Sequence, residues 1–224
     1  MNAFIKEGEP KKRSEGKAAT RARILEVAKA ELEEKGFEGT NIRAVAEAAG
    51  VATGTVVLHF ADKRELLHAA LFVDLEATWH AARDADSGRA LIVELSALAD
   101  AFFRYYAARE RLSRALLRES LFADPPWSTR FAAQIAELSV HVSKLASRAK
   151  ERREIRPELD SQTTAAAFLS FYYFALLAWL QGGHPAPLSL FETLLRQHLG
   201  VNDISPARRP SPTRTKPKKR RNER

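Results

Sequence analysis

The stretch from Thr40 to Phe60, TNIRAVAEAAGVATGTVVLHF, most constrains how this chain can fold. Four apolar residues in its first half recur at the spacing of one helical face: Ile42, Val45, Ala46 and Ala49. Gly50 then tolerates the positive φ of a tight turn, and Val51 follows it as an apolar residue that fills the turn. A second helix is predicted from Thr53 to Phe60. Two short helices across a glycine turn are typical of a helix-turn-helix, whose second helix enters a DNA major groove, although an ordinary helical hairpin has the same pattern.

The residues on either side extend the helical pattern. Residues 24 to 37, ILEVAKAELEEKGF, carry their apolar residues on one face and end at a glycine. Thr40 or Asn41 can cap the next helix, because either side chain offers an oxygen to free backbone N–H groups. After the second short helix, Asp62 is placed to cap a further helix that begins near Lys63.

The run from Ile24 to Leu66 resembles the tetracycline-repressor (TetR) family of bacterial transcription regulators. The resemblance is carried, without a gap, by EKGFEGTNIRAVAEAAGV, GTVVLHF and DKREL, whereas the rest of the chain resembles the family only in length and helical character. It implies an all-α fold of about nine helices, with an N-terminal three-helix DNA-binding domain and a C-terminal ligand-binding and dimerisation domain. It also implies a homodimeric, ligand-responsive regulator, in most cases a repressor, which a small-molecule effector releases from double-stranded, pseudo-palindromic operator DNA.

Chemistry and the family pattern together assign nine residues to DNA contacts: Thr40, Arg43, Thr53, Gly54, Thr55, Val57, Leu58, His59 and Lys63. Arg43 can pair with guanine through two hydrogen bonds, or it can form a surface ion pair with Glu47. Val57 replaces a tyrosine that usually contacts phosphate in the family. A valine cannot donate that hydrogen bond, so a thymine methyl becomes its expected contact. Lys63 matches a family lysine that lies close to phosphate at a helix N-terminus.

Beyond Leu66 the pattern is helical, and no period-two alternation favours a strand. The predicted helices are Lys63–Arg83, Arg89–Tyr106, Glu110–Ser120, Pro126–Arg153, Ser161–Gln181 and Leu188–Leu199. With three N-terminal helices they make nine. We divide the chain into a flexible basic arm (1–19), a helix-turn-helix domain (20–66), a ligand-binding and dimerisation domain (67–204) and a disordered basic tail (205–224). Residues Lys11, Lys12, Arg13 and Lys17 of the arm either enter a minor groove or are simply disordered.

The segment from Ser161 to Leu190 contains no Asp, Glu, Lys or Arg. Its apolar core, from Ala165 to Leu180, is shorter than the ~20 residues needed to cross a bilayer, so a helix buried between other helices is favoured over a membrane span. In the family, the last two long helices pack against those of a second subunit as a four-helix bundle. We therefore expect five residues to face the partner: Ala166, Leu169, Tyr173, Leu177 and Leu180.

The C-terminal domain is expected to hold an apolar or aromatic effector. Seven residues are the candidates for its binding site: Trp79, Phe103, Arg104, Tyr106, Trp127, Phe131 and Phe174. Core packing is the alternative role for the aromatic side chains. Arg104 would select an anionic effector, unless it is a surface charge beside Asp100 or Glu110.

Charge and motifs bound the remaining possibilities. Residues 205–224 contain nine Lys or Arg and one Glu, so the tail carries the whole net charge of +8 and either attracts phosphates or only solubilises the chain. The chain has no cysteine and no metal-ligand spacing, nucleophile elbow or phosphate-binding loop, so we expect no cofactor, no metal and no catalytic site. Its charged N-terminus predicts a cytoplasmic protein. Two alternatives are a binding module without operator DNA and, less favoured, an enzyme that uses the C-terminal cavity.

Overall fold

The computed structural model describes residues 9–84, 88–120 and 123–201, with side chains from Ser14 onward, and these residues contain nine α-helices and no strand. In chain order the helices are α1 (Glu9–Gly39), α2 (Ile42–Ala48), α3 (Thr53–His59), α4 (Lys63–Asp84), α5 (Leu91–Ala108), α6 (Glu110–Ser120), α7 (Trp127–Glu151), α8 (Ser161–Leu180) and α9 (Pro187–Leu199). From α4 onward every bound lies within two residues of its prediction. The predicted all-α fold of about nine helices is confirmed.

The first helix is longer than predicted. It begins at Glu9, so residues 9–19, which the sequence interpretation placed in a basic arm, lie in the helix. Pro10 lies in the first turn, where its missing N–H leaves no intrahelical hydrogen bond unmade. At the other end, Gly36 has a φ of 72° and interrupts the helix. Residues 1–8, the side chains of Lys11, Lys12 and Arg13, and the predicted basic tail lie outside the described residues.

The first three helices and the start of α4 enclose a small core, which we call the head core. Its buried residues are Ile24, Leu25, Ala28, Val45, Ala46, Ala49, Val56, Phe60, Leu66, Ala69, Ala70 and Trp127. The four apolar positions of the predicted α2 stripe point into or against it, as their spacing requires. Trp127 belongs to α7, so the C-terminal domain closes one side of the head core.

The helices from α4 to α9 enclose the larger core. The central helix is α5, which contacts α4, α6, α7, α8 and α9 and buries Leu95, Ala99 and Phe102. The helix α8 lies between α7 and α9. By length and composition α8 could cross a membrane, but it buries Phe168, Tyr172 and other side chains against its neighbours. Its apolar composition is therefore explained by packing inside a helical protein.

The helix α4 joins the two cores without interruption. Its residues Leu66 and Ala70 belong to the head core, whereas Leu67, Leu71 and Leu75 belong to the larger core. The domain boundary that we place at residue 66 thus falls inside one continuous helix. One helix therefore packs against both cores and connects them directly.

Candidate DNA-binding surface and effector cavity

The structure contains the helix-turn-helix at the predicted residues. The Asn41 side chain caps α2 by accepting a hydrogen bond of 2.8 Å from the Ala44 N–H. Gly50 adopts a φ of 63°, the left-handed conformation that glycine enters at little cost, and it lets the chain turn from α2 toward α3. The Val51 N–H then donates to the Ala46 carbonyl at 3.0 Å and closes the turn.

The structure contradicts a phosphate contact by the Thr40 side chain. This side chain is buried, and its hydroxyl donates to the Gly36 carbonyl at 2.8 Å, with the Glu31 carbonyl at 3.2 Å. The reason is the interruption of α1 at Gly36, because it leaves carbonyl groups that need a donor. Thr40 therefore holds the end of α1 in place while Asn41 provides the cap.

The outer face of α3 remains uncovered by the protein. Val56 and Phe60 point inward and are fully buried. Thr53 and Gly54 are exposed at the N-terminal end of the helix, and Thr55 is half-buried. Two apolar side chains also face outward: Val57 is 50% exposed and Leu58 is 76% exposed. Apolar groups that the fold leaves in water next to exposed hydroxyls are typical of a surface with a binding partner.

The charged groups around α3 come from three other helices. Arg43 of α2 is exposed and forms no ion pair with Glu47 in the described part of the chain. Lys63, at the start of α4, lies with its ammonium 4.4 Å from the centre of the Phe37 ring and 3.5 Å from the Glu38 carbonyl oxygen. The residue is thus fixed between the end of α1 and the N-terminus of α4.

Two basic residues of α1 join this surface: Lys17, which the sequence interpretation assigned to the basic arm, and Arg21, which it did not assign to DNA contacts. The Arg21 guanidinium lies 4.9 Å from the centre of the Phe60 ring. Partial burial, and then the charges of Lys17 and Arg21, lower the pKa of His59, so its imidazole is neutral at neutral pH. Lys17 and Arg21 are four residues apart and so share one face of a helix, but the sequence could indicate this only once residues 17–21 were taken as helical.

An apolar cavity of about 410 Å³ lies in the C-terminal domain, within the size range of small-molecule sites. Its described lining comes from α4 to α8: Leu75, Trp79, Phe102, Tyr106, Leu116, Leu117, Ser120, Ala123, Ser128, Phe131, Ala132, Gln134, Ile135, Leu138, Tyr172, Tyr173 and Leu177. Among these residues there is no Lys, Arg, His, Asp or Glu. Trp79, Tyr106 and Phe131 were predicted to bind the effector and do line the cavity.

Four predicted effector residues lie elsewhere. Phe103 is buried in the larger core, where its ring stacks on Tyr172 at 5.3 Å. Phe174 is 56% exposed on the outside of α8. Trp127 belongs to the head core and stacks on another ring there. Arg104 has a side chain that is 80% exposed and pairs with Asp100 one turn earlier, so its alternative role as a surface charge is the correct one.

An aromatic cluster connects the cavity with the head core. Phe131 lines the cavity, and its ring also lies edge-on to His68 at 5.7 Å and to Phe72 at 5.8 Å. The His68 ring stacks on Trp127 at 5.5 Å. We call these four residues, His68, Phe72, Trp127 and Phe131, the junction cluster. A displacement of Phe131 by an occupant of the cavity would thus reach α4 through direct ring contacts.

Two ion pairs reinforce the same junction from α6. Arg118 pairs with Glu38 at the end of α1 at 3.1 Å, and Glu119 pairs with Arg64 in the first turn of α4 at 3.1 Å. Because the arginine side chains are exposed, we expect each pair to contribute less than about 1 kcal/mol. They orient the head relative to α6 more than they stabilise the fold.

The outward face of α8 differs from the one predicted. Ala166 is exposed and Leu169 is half-buried, but Tyr173 and Leu177 line the cavity, and Leu180 is buried in the protomer's own core. The exposed side chains of α8 are Gln162 and Thr163 in its first turn, and then Ala166, Ser170 and Phe174 along its outward face. On α9 they are Ser189, Thr193 and Gln197, with Leu190 and Leu194 half-buried. The outward face of α8 has no charged residue, whereas α9 also carries the half-buried Glu192 and Arg196 at the edge of its outward face.

Comparisons with known proteins agree with this arrangement. A sequence model of the family described as "Bacterial regulatory proteins, tetR family" matches residues 24–70. The HTH-type transcriptional regulator TtgR of Pseudomonas putida is 27% identical over 169 residues, which cover 72% of this chain and 80% of TtgR. The HTH-type transcriptional repressor KstR of Mycolicibacterium smegmatis is 30% identical over 175 residues, which cover 75% of this chain and 79% of KstR.

Solved structures share the whole fold. Thermus thermophilus FadR, a TetR-family transcriptional repressor in complex with lauroyl-CoA, matches with a TM-score of 0.64 and 22% identity over 85% of this chain and 99% of FadR. Salmonella enterica GusR matches with a TM-score of 0.62 and 23% identity over 88% of this chain and 100% of GusR. The relatives are transcription regulators rather than enzymes. The helix-turn-helix, the nine helices and these relatives together show that the chain belongs to the tetracycline-repressor (TetR) family of bacterial transcription regulators.

Proposed function

We propose that this protein is a cytoplasmic, homodimeric repressor that leaves its operator when an apolar or aromatic effector fills the cavity between α4 and α8. One arrangement carries the proposal. The recognition helix α3 exposes Val57 and Leu58 beside uncovered hydroxyls, and α4, which begins just after α3, lines an apolar cavity with Leu75 and Trp79 nearer its other end. A reading surface and a ligand site joined by one helix are the parts that a ligand-responsive regulator requires.

The exposed residues divide into base readers and phosphate contacts. Arg43 is free to pair with a guanine edge, and Thr53 and Thr55 lie at the end of α3 that reaches bases in this motif. Gly54 lets the backbone approach the DNA closely. Val57 and Leu58 present methyl groups that complement thymine methyls. We assign His59, Lys63 and the α1 residues Lys17 and Arg21 to the backbone phosphates, because His59 lies at the C-terminal end of α3 and the three basic residues lie on neighbouring helices. The Thr40 side chain has no part in this surface.

The uncharged outward face of α8 and the partly apolar outward face of α9 support dimerisation through these two helices. The exposed Phe174 ring, together with the half-buried Leu190 and Leu194, would lose contact with water against the same faces of a second protomer. A twofold dimer presents two α3 helices to one side of a duplex. Its operator is then a pseudo-palindrome whose half-site centres are separated by about 34 Å or a multiple of it.

The effector acts by favouring a dimer with a different spacing of the heads. An occupant of the cavity contacts Trp79 and Leu75 on α4 and Phe131 in the junction cluster. The effector binds the dimer with the DNA-binding head spacing less tightly than the dimer with the other spacing. Operator affinity then falls by up to the ratio of these two effector affinities. The apolar lining agrees with an apolar ligand, and the solved relative FadR is described as bound to lauroyl-CoA.

A footprint on the DNA that flanks the protein's own gene tests the proposal. We expect a protected pseudo-palindrome with two half-sites, and the triple variant Arg43→Ala, Thr53→Ala, Thr55→Ala should abolish it. The matched control is Arg111→Ala, an exposed arginine of α6, which should leave the footprint unchanged. A folded dimer that protects no sequence, both on this DNA and in a selection from random duplexes, would instead support a binding module without an operator.

A further inference from the structure

The described lining of the cavity contains no positive charge that could hold an anion. Its tyrosines, Tyr106, Tyr172 and Tyr173, are neutral, because burial raises the pKa of each. Arg104, the charge closest to these aromatic residues in sequence, lies on the outer face of α5 with Asp100. His141 touches the edge of the Trp79 ring at 5.2 Å but is not part of the cavity lining. A carboxylate or phosphate in this cavity would be buried without a counter-ion, which costs several kcal/mol.

Two hydrogen-bond donors of the lining have no acceptor in the described part of the chain. They are the indole Nε1 of Trp79 on α4 and the amide Nε2 of Gln134 on α7, and both atoms are buried. The hydroxyls of Tyr106 and Tyr172, in contrast, share a hydrogen bond with each other. A buried donor without an acceptor is costly, so these two groups call for a partner such as an ordered water or a bound ligand, and their place in the cavity lining favours a ligand.

We propose that the effector is an uncharged, mainly apolar molecule with a carbonyl or similar hydrogen-bond acceptor, which Trp79 and Gln134 bind, and that free anions are rejected. The inference rests on the proposed function only in identifying the cavity as the effector site. It adds the chemistry of recognition: apolar contacts supply affinity, and the two donors from opposite helices select the acceptor. One donor lies on α4 and the other on α7, and these two helices also contribute the four residues of the junction cluster.

Three naphthalene probes of similar size test this recognition by titration calorimetry on the full-length protein. Acetylnaphthalene has a neutral acceptor, ethylnaphthalene has none, and naphthoate is an anion. We expect acetylnaphthalene to bind roughly three- to tenfold more tightly than ethylnaphthalene, the value of about one net hydrogen bond. Naphthoate should bind at least roughly 100-fold more weakly than acetylnaphthalene at neutral pH, and its affinity should rise as the pH falls and the neutral acid forms.

Variants then assign the selectivity to the two donors. Trp79→Phe combined with Gln134→Leu removes both donors and keeps an aromatic ring and an apolar side chain at these positions, and the preference for acetylnaphthalene over ethylnaphthalene should disappear while ethylnaphthalene still binds. Ser128→Ala, which changes another polar residue of the lining, is the matched control and should retain the preference. Circular dichroism melting confirms that each variant is folded, and Gln134→Leu alone serves if the double variant is not.

Several results would overturn the inference. They are naphthoate binding equal to or tighter than that of acetylnaphthalene, a preference for the acceptor that survives loss of both donors, or no binding of any probe at millimolar concentration. The footprint is measured without a probe. A protein that protects its operator and yet binds naphthoate best would therefore refute the recognition chemistry alone, and selective probe binding without an operator would refute the proposed function alone.

Discussion

Replacement of Phe174 separates dimerisation from folding, because this side chain is exposed in the protomer. Its exposed fraction is 56%, on the uncharged outward face of α8. Full burial of a phenylalanine contributes about 1.5–3 kcal/mol, so burial of the exposed half at an interface contributes about 1–1.5 kcal/mol per protomer. A twofold interface counts the residue twice, so Phe174→Ala should weaken the dimer by about 2–3 kcal/mol, or roughly 30- to 150-fold in Kd.

Phe174→Arg should have a larger effect, because it also buries an unpaired charge at the interface. Analytical ultracentrifugation over a concentration series measures the dimer dissociation constant, and circular dichroism confirms that helical content is unchanged. Val93→Arg is the matched control, since Val93 is 42% exposed on α5, the helix whose outer face carries the Asp100–Arg104 ion pair. The control should dimerise like the wild type. An undisturbed dimer in Phe174→Arg, or equal weakening in Val93→Arg, would refute the assignment of the α8 face.

Three further predictions concern the head. Arg43→Ala should weaken operator binding by about 1–3 kcal/mol and relax the base preference at one operator position. Lys63→Ala should weaken binding to all DNA sequences and reduce the slope of log affinity against log salt concentration by about one unit. Equal effects of the two variants on operator and random DNA in gel-shift titrations would contradict the division of roles. Thr40→Val should lower the free energy of unfolding by about 1 kcal/mol in urea titrations with operator preference intact. If His59 contacts phosphate, its lowered pKa rises on binding, so operator affinity should increase as the pH falls from about 8 to about 6, and His59→Gln should remove that increase.

Local sequence signals predicted the helices well. Asp160 caps α8 by accepting a 2.7 Å hydrogen bond from the Thr163 N–H, and Asp62 accepts a 2.7 Å hydrogen bond from the Glu65 N–H at the start of α4. In each of these contacts the two partners are only three residues apart, so a short stretch of sequence is enough to predict the cap. Gly50 is a comparable case, since the turn it makes depends on its own backbone conformation.

The face that each helix presents was harder to predict. The helix α8 is apolar around its whole circumference, so hydrophobic periodicity cannot distinguish the exposed Phe174 from its neighbour Tyr173, which lines the cavity. The same problem placed Leu180 at a partner's surface when it belongs to the protomer's own core. Thr40 shows a second limit. Its hydroxyl could cap α2 or bond back to α1, and the choice depends on where Gly36 ends the helix.

The junction cluster gives the stability of the protein a pH dependence that can be measured. His68 is 3% exposed, its Nδ1 has no partner in the described residues, and burial lowers its pKa from the usual 6.5. Below about pH 6.5, His68 binds a proton more readily in the unfolded chain than in the folded one. Protonation therefore favours unfolding, and the free energy of unfolding decreases as the pH falls from about 6.5 toward the folded-state pKa of His68. His68→Phe keeps a ring against Trp127 but cannot be protonated. Its free energy of unfolding, from urea titrations at a series of pH values, should decline less steeply on acidification than that of the wild type. Equal slopes would show that His68 does not titrate within the cluster.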